Sequence, residues 1–222
     1  MLGDVLLIND LHKEAAASIY EYIKEGLQKK EKRCRYIVGI SGESGSGKTE
    51  LAHVLGMLLK KDHIRVKVVH TDDYYKIQPL LREEWRRNKG FSQIGMKEYD
   101  WPKIKKTIRD FKEEQESVLP CIDLISEQVD RLITDFKKVD FLIVDGLYAI
   151  NVPQIDLRVF IDLTYQETKI NQIIRLKEEL TDFRLNILER EHRAVSALKQ
   201  KADLIVSKSY MVLPAGSYQE PA

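Results

Sequence analysis

One octet constrains this chain more than anything else in it: Gly42-Glu43-Ser44-Gly45-Ser46-Gly47-Lys48-Thr49 fits G-x-x-x-x-G-K-[ST]. Before it runs YIVGIS, a short apolar stretch rich in β-branched residues, which predicts a buried strand. After it, Leu51, Val54, Leu55, Leu58 and Leu59 recur at helical spacing. Between a strand and a helix, the glycines let the backbone curl with its N–H groups facing inward, a nest for anionic oxygens. The helix adds the positive end of its dipole at the same point. In such a loop Lys48 reaches the β- and γ-phosphates of a nucleotide, and the Thr49 hydroxyl binds Mg²⁺. The expected nucleotide-binding set is Gly42, Glu43, Ser44, Gly45, Ser46, Gly47, Lys48, Thr49 and Glu50.

Strand and helix patterns alternate along the rest of the chain, which argues for an α/β fold with a parallel sheet covered on both faces. A helix is expected from about Asp4 to Arg33, with Ile8, Leu11, Ala15, Ile19, Ile23 and Leu27 on one face. RVKVVHT reads as a second strand, leading into the polar segment DDYYK. Residues from Pro79 to Trp101 are charged and poorly periodic, and read as a mobile flap near a site. A helix follows from Pro102 to about Glu116, with proline well placed at its first position. Val118 to Lys138 is ambiguous, open to a strand pair over one part and a helix over another. FLIVDG and LRVFIDL supply two further strands, Tyr165 to Lys201 reads as helical, and ADLIVS as a last strand. Asp145, at the carboxyl end of FLIVD, can hold a metal directly or through water. The closing SYMVLPAGSYQEPA is expected to be loosely held.

Composition excludes several classes. A net charge of +1 over 222 residues gives no general attraction to nucleic acid or anionic membrane, and RRNK and KQK are only short basic clusters. No apolar run is long enough to cross a bilayer, and the amino terminus lacks a secretory pattern, so a cytoplasmic protein is expected. Cys34 and Cys121 have neither metal-ligand nor C-x-x-C spacing and read as two buried free thiols. His70, alone at a strand end, reads as structural.

GISGESGSGKTELA, HTDDYYK, YDWP, VDGLYAI and KQKADLIVSKS occur in the order found in the uridine kinase and phosphoribulokinase-like family of P-loop kinases, which the chain resembles from about Tyr36 to Ser209. The resemblance implies a P-loop NTPase fold, three-layer α/β/α, with a central, mainly parallel five-stranded sheet and a helical lid or flap. It implies a kinase domain over residues 35–210, with the flap at about 77–101 and the lid at about 166–190. Residues 1–34 would be a helix packed on that domain and 211–222 a tail. The implied reaction moves the γ-phosphate of ATP, with Mg²⁺, to a hydroxyl of a nucleoside- or sugar-like acceptor; members are often oligomers.

The same resemblance suggests residue roles. Asp72 matches the family's general base and precedes the aromatic pair Tyr74-Tyr75, of which Tyr75 would meet the acceptor. Asp73 competes with Asp72 by adjacency, and both could be simple turn residues. Asp100 in YDWP matches an aspartate that binds sugar hydroxyls, with helix capping as its alternative; Trp101 replaces the usual histidine. Asp123 would also face the acceptor, although Ile122 stands where uridine kinases carry tyrosine and Glu127 sits near their base-contacting histidine. In the lid, Thr168 and Asn171 fall on usual arginine positions. Arg175 is the best match for the catalytic arginine, with Lys169, Lys177 and Arg184 as substitutes or ordinary surface charge. Two other classes stay open: a P-loop ATPase or switch acting with a protein, and a nucleotide-binding module without turnover.

Overall fold

The computed structural model describes residues 2–28, 35–175 and 181–219, apart from the side chains of Phe91 and Arg175. Its centre is a six-stranded sheet of β1 (Tyr36–Gly42), β2 (Val66–His70), β5 (Phe141–Asp145), β6 (Leu157–Ile161), β7 (Leu204–Val206) and β8 (Val212–Pro214). They lie in the order β2-β5-β1-β6-β7-β8, the first five parallel and β8 antiparallel to β7. All seven residues of β1 are buried, because both faces of the sheet are covered.

Successive side chains of one strand therefore enter two different cores. Val38 and Ile40 meet Ala15, Ile19 and Ile23 of α1 (Asp10–Gln28) and Leu51, Leu55 and Leu59 of α2 (Lys48–Lys61). Ile37 meets the opposite core with Ile104, Ile108 and Phe111 of α4 (Trp101–Lys112). Each such valine, leucine, isoleucine or phenylalanine, fully buried, stabilises the fold by about 1.5–3 kcal/mol.

The structure corrects two expectations, the strand count and the N-terminal helix, and fills in two others. The sheet has a sixth strand because the tail is held: residues 212–214 pair with β7 and Tyr218 donates to the Asp162 carboxylate at 2.5 Å. Within the flap, Pro79–Lys89 forms a helix, α3. It lacks apolar periodicity because its buried residue is Arg86, which bonds Glu98 at 2.7 Å. The undecided stretch is a hairpin, β3 (Glu116–Asp123) against β4 (Gln128–Asp135), closed by Glu127 at φ 57°. The N-terminal helix begins at Asp10, which leaves Ile8 outside it, and both Ile8 and Leu11 of the expected apolar face are exposed.

The helical stretch near the end divides into α5 (Lys169–Arg175) and α6 (Asp182–Ser196). Cys121 is a buried free thiol, while Cys34 lies outside the described residues. Among the described residues no helix is long and apolar enough to cross a membrane.

Candidate active site

The carboxyl ends of parallel strands are where open α/β sheets bind ligands, because the loops diverge there. Here Ile40 of β1 and His70 of β2 both register with Asp145 of β5, so three strand ends converge. A cleft of about 710 Å³ opens above them, lined among others by Ser44, Gly45, Lys48, Thr49, Asp72 and Asp145.

One wall is the phosphate loop. Gly45 and Gly47 hold left-handed backbone at φ 75° and 86°, which curls the chain into α2. A β-carbon on Gly47 would also collide with the Tyr210 hydroxyl and His12 Nε2 behind the loop. These two side chains form a brace. The Asn9 N–H donates to His12 Nδ1 at 3.2 Å, so the ring's proton sits on Nε2, 3.2 Å from the Tyr210 hydroxyl. Tyr210 in turn donates to the Ser46 carbonyl at 2.8 Å. Burial lowers the pKa of His12, in keeping with a neutral ring.

The lid segment grips the same loop from the front. Thr168 donates to the Ser44 carbonyl at 2.6 Å and Asn171 to the Gly45 carbonyl at 3.2 Å. The two positions where the resemblance expects arginines thus hold the loop by neutral hydrogen bonds. The buried Glu43 carboxylate accepts from the Tyr165 N–H at 2.8 Å and lies 2.6 Å from His192 Nδ1, tying the loop to α6 as well. Lys48 Nζ donates to the Glu43 carbonyl at 2.6 Å.

Asp145 is almost fully buried, with His70 Nδ1 2.5 Å away and the Thr49 hydroxyl donating to its carboxylate. Burial works to raise its pKa, yet His70, Thr49 and Lys48 together hold it below the usual carboxylate range. His70, read from sequence as structural, is therefore part of the site; its place at the end of the strand beside β5 was the available signal. A hydroxyl and a carboxylate suit Mg²⁺, which takes few protein oxygens and completes its shell from phosphates and water. No cluster of three or more His, Cys, Asp or Glu suited to a metal occurs among the described residues.

The opposite wall is aromatic. Tyr99 is fully buried, and its hydroxyl lies 3.1 Å from Asp72 Oδ1 and 2.8 Å from the Tyr75 hydroxyl. With one proton to give, Tyr99 donates to the carboxylate and accepts from Tyr75. Backbone bonds between the Asp100 N–H and the Tyr74 carbonyl, and between the Lys76 N–H and the Glu98 carbonyl, fix this pairing. Asp73 turns away, its buried carboxylate accepting from the Ile122 N–H at 2.9 Å. The structure thus separates the two adjacent aspartates: Asp72 lines the cleft and Asp73 ties it to the hairpin.

Several expected site residues are placed elsewhere. Asp100 caps α4, accepting from the Lys103 N–H at 3.1 Å, and does not line the cleft. Asp123 is spent on the hairpin turn, accepting from the Ile125 N–H at 2.9 Å and the Ser126 hydroxyl at 2.9 Å. Glu50 accepts from the Leu7 N–H at 3.1 Å, which takes it from the nucleotide set to the N-terminal segment. Lys169 is exposed outside the cleft, whereas Arg184, Ile122 and Glu127 line it. Lys177 and the Arg175 side chain lie outside the described residues.

The family model of the phosphoribulokinase/uridine kinase family matches residues 37–180. A uridine kinase of Ureaplasma parvum is 30% identical over 144 residues, 63% of this chain and 68% of that protein. Among solved structures, a D-glycerate 3-kinase from Cryptococcus neoformans superposes with a TM-score of 0.59 at 14% identity, covering 92% of this chain and 98% of that one. Phosphoribulokinase from Rhodobacter spheroides gives 0.60 at 12% identity, over 77% and 69%. These two show the likeness of fold.

Proposed function

The chain belongs to the phosphoribulokinase/uridine kinase family of small-molecule kinases, and from that premise we propose that it transfers the γ-phosphate of Mg·ATP to a hydroxyl held beside Asp72. The observation that carries the reading is that Lys48, Thr49, Asp145 and Asp72 all line one cleft. A bare hydrolase needs the first three and has no use for a carboxylate on the opposite wall.

Phosphoryl transfer asks little covalent chemistry of a protein, so positioning and charge carry catalysis. The phosphates dock on the N–H groups of the loop and on Lys48, and Thr49 with Asp145 would hold Mg²⁺, which neutralises charge on the β- and γ-oxygens. The acceptor oxygen attacks in line, ADP leaves, and Asp72 takes the hydroxyl proton late in the step. Tyr99, bonded to Asp72, fixes the direction in which that carboxylate points.

The acceptor is a nucleoside- or sugar-like alcohol, and the cleft disfavours uridine. Ile122 and Glu127 both line it, and neither an aliphatic group nor an ionised carboxylate donates a hydrogen bond to a uracil carbonyl. One observation favours a second reading, a nucleotide-binding module without turnover: the neutral Thr168 and Asn171 contact the phosphate loop where transferring charge would call for cations.

Transfer from γ-labelled ATP to a panel of nucleosides, sugars, sugar phosphates and hydroxy acids separates the two. Label in an acceptor, lost in Asp72→Asn, supports the kinase. Tight Mg·ATP binding with no labelled acceptor supports the module.

A further inference from the structure

Two of the arginines of helix α3, Arg82 and Arg86, stand one turn apart and have opposite fates. Arg86 is buried and neutralised, bonding Glu98 at 2.7 and 3.2 Å and approaching Glu191 at 3.5 Å. Arg82 lines the cleft, and among the described residues no carboxylate forms an ion pair with it. Its guanidinium carbon lies 3.6 Å above the Tyr75 ring; among the described residues its buried Nε has no hydrogen-bond partner and its one hydrogen bond is to the Ile77 carbonyl at 3.5 Å. A guanidinium never discharges at ordinary pH, and a buried N–H left unmade is costly, so such a group is explained by a ligand that completes it.

Its position says which ligand. The Tyr75 ring beneath it bonds Tyr99, which bonds Asp72, so Arg82 stands over the acceptor wall rather than the phosphate loop. Arg184 is also in the cleft but lies 3.9 Å from Glu191. We propose that Arg82 receives an oxyanion carried by the acceptor, a carboxylate or a phosphate placed at the far end from the hydroxyl that Asp72 faces. The proposal rests on the kinase reading for the word acceptor, but not for the anion site. Stacking on Tyr75 presets the planar fork for two parallel N–H···O bonds, which a point charge cannot match. Asp4, Glu83 and Glu127 line the same cleft, so a negative acceptor is favoured with its charge at Arg82 and away from them.

The test saturates the full chain with Mg·AMPPNP, which fills the phosphate loop, and then titrates sulfate or acetate while following the melting temperature. Expected is a saturable rise with at least one anion, its midpoint shifted about tenfold or more in Arg82→Gln, with Arg82→Lys in between. Preference for sulfate identifies a phosphate-like group, and preference for acetate a carboxylate. No saturable effect, or an equal one in Arg82→Gln, overturns the proposal. So does a loss of AMPPNP affinity in Arg82→Gln without a change in the anion response, because Arg82 would then serve the transferring phosphate. Transfer assays fail or succeed separately. Labelling of a neutral acceptor that is indifferent to Arg82→Gln keeps the kinase and removes the anion site. An Arg82-dependent anion effect without transfer to any acceptor keeps the site and removes the kinase.

Discussion

The two walls of the cleft are built by different means. On the phosphate wall the ligand-facing groups are mostly backbone, and side chains from distant segments serve to hold that backbone still: Tyr210 on the Ser46 carbonyl, Thr168 on Ser44 and Asn171 on Gly45. On the acceptor wall the side chains themselves face the cleft: Asp72 and Tyr75 are bonded to the hydroxyl of buried Tyr99, and Arg82 lies over the Tyr75 ring. A backbone cradle fits any phosphate and tolerates changes in its supports. A wall of side chains changes its ligand with each substitution. In the proposed reaction the first wall handles the phosphates, while the second supplies the base and the selectivity.

The comparison is broken most forcefully at its centre. Lys48→Ala is expected to lower transfer by about a thousandfold and to weaken fluorescent-nucleotide binding as well, because the cation serves ground and transition states alike. If only the acceptor KM moved, the walls would have been assigned the wrong way round. Asp72→Asn comes next: turnover falls by about a hundredfold while nucleotide affinity stays. Its neighbour gives the contrast. Asp73→Ala leaves the Ile122 N–H without its acceptor, so the cost of about 1–3 kcal/mol appears in thermal unfolding. Equal kinetic losses from both aspartates, with no change in stability, would remove the distinction between them.

How much of this could be read beforehand follows from the same division. The phosphate loop was legible because its cause is local: glycine spacing, a β-branched strand before it and a periodic helix after it. The parallel strands were legible as apolar runs. β8 was not, since three residues leave no period and its pairing with β7 is made in space. α3 was hidden because its buried face is an ion pair rather than apolar. On the acceptor wall the difficulty is chemical. An aspartate that accepts from a sugar hydroxyl and one that accepts from a helix N–H look alike in sequence, and Asp100 and Asp123 are spent on backbone. Asp72 and Asp73 are likewise separated only by which way a short turn presents them.

The brace behind the phosphate wall predicts a smaller effect of a distinct kind. His12 and Tyr210 come from segments outside the matched family region of 37–180, yet they pair behind the loop, where Tyr210 donates to the Ser46 carbonyl. Tyr210→Phe keeps the ring and removes the donor. Nucleotide affinity should fall about two- to tenfold, the worth of one hydrogen bond, with kcat little changed. A fall in melting temperature without any change in nucleotide affinity would make the brace a matter of folding alone.

The smallest effect tests the acceptor wall at its edge. As the residue before the first turn of α4, Asp100 accepts from the Lys103 N–H, and replacing such a cap with alanine costs about 1 kcal/mol of stability. Asp100→Ala should therefore lower the melting temperature and leave the acceptor KM in place. Asp100→Ser, which caps nearly as well, should restore stability. An acceptor ligand would behave in reverse: serine is too short to replace the carboxylate, so KM would rise in both variants whatever the melting temperature did. That result would return Asp100 to the role the resemblance assigns it, and would extend the acceptor wall beyond Asp72, Tyr75 and Arg82 to the start of α4.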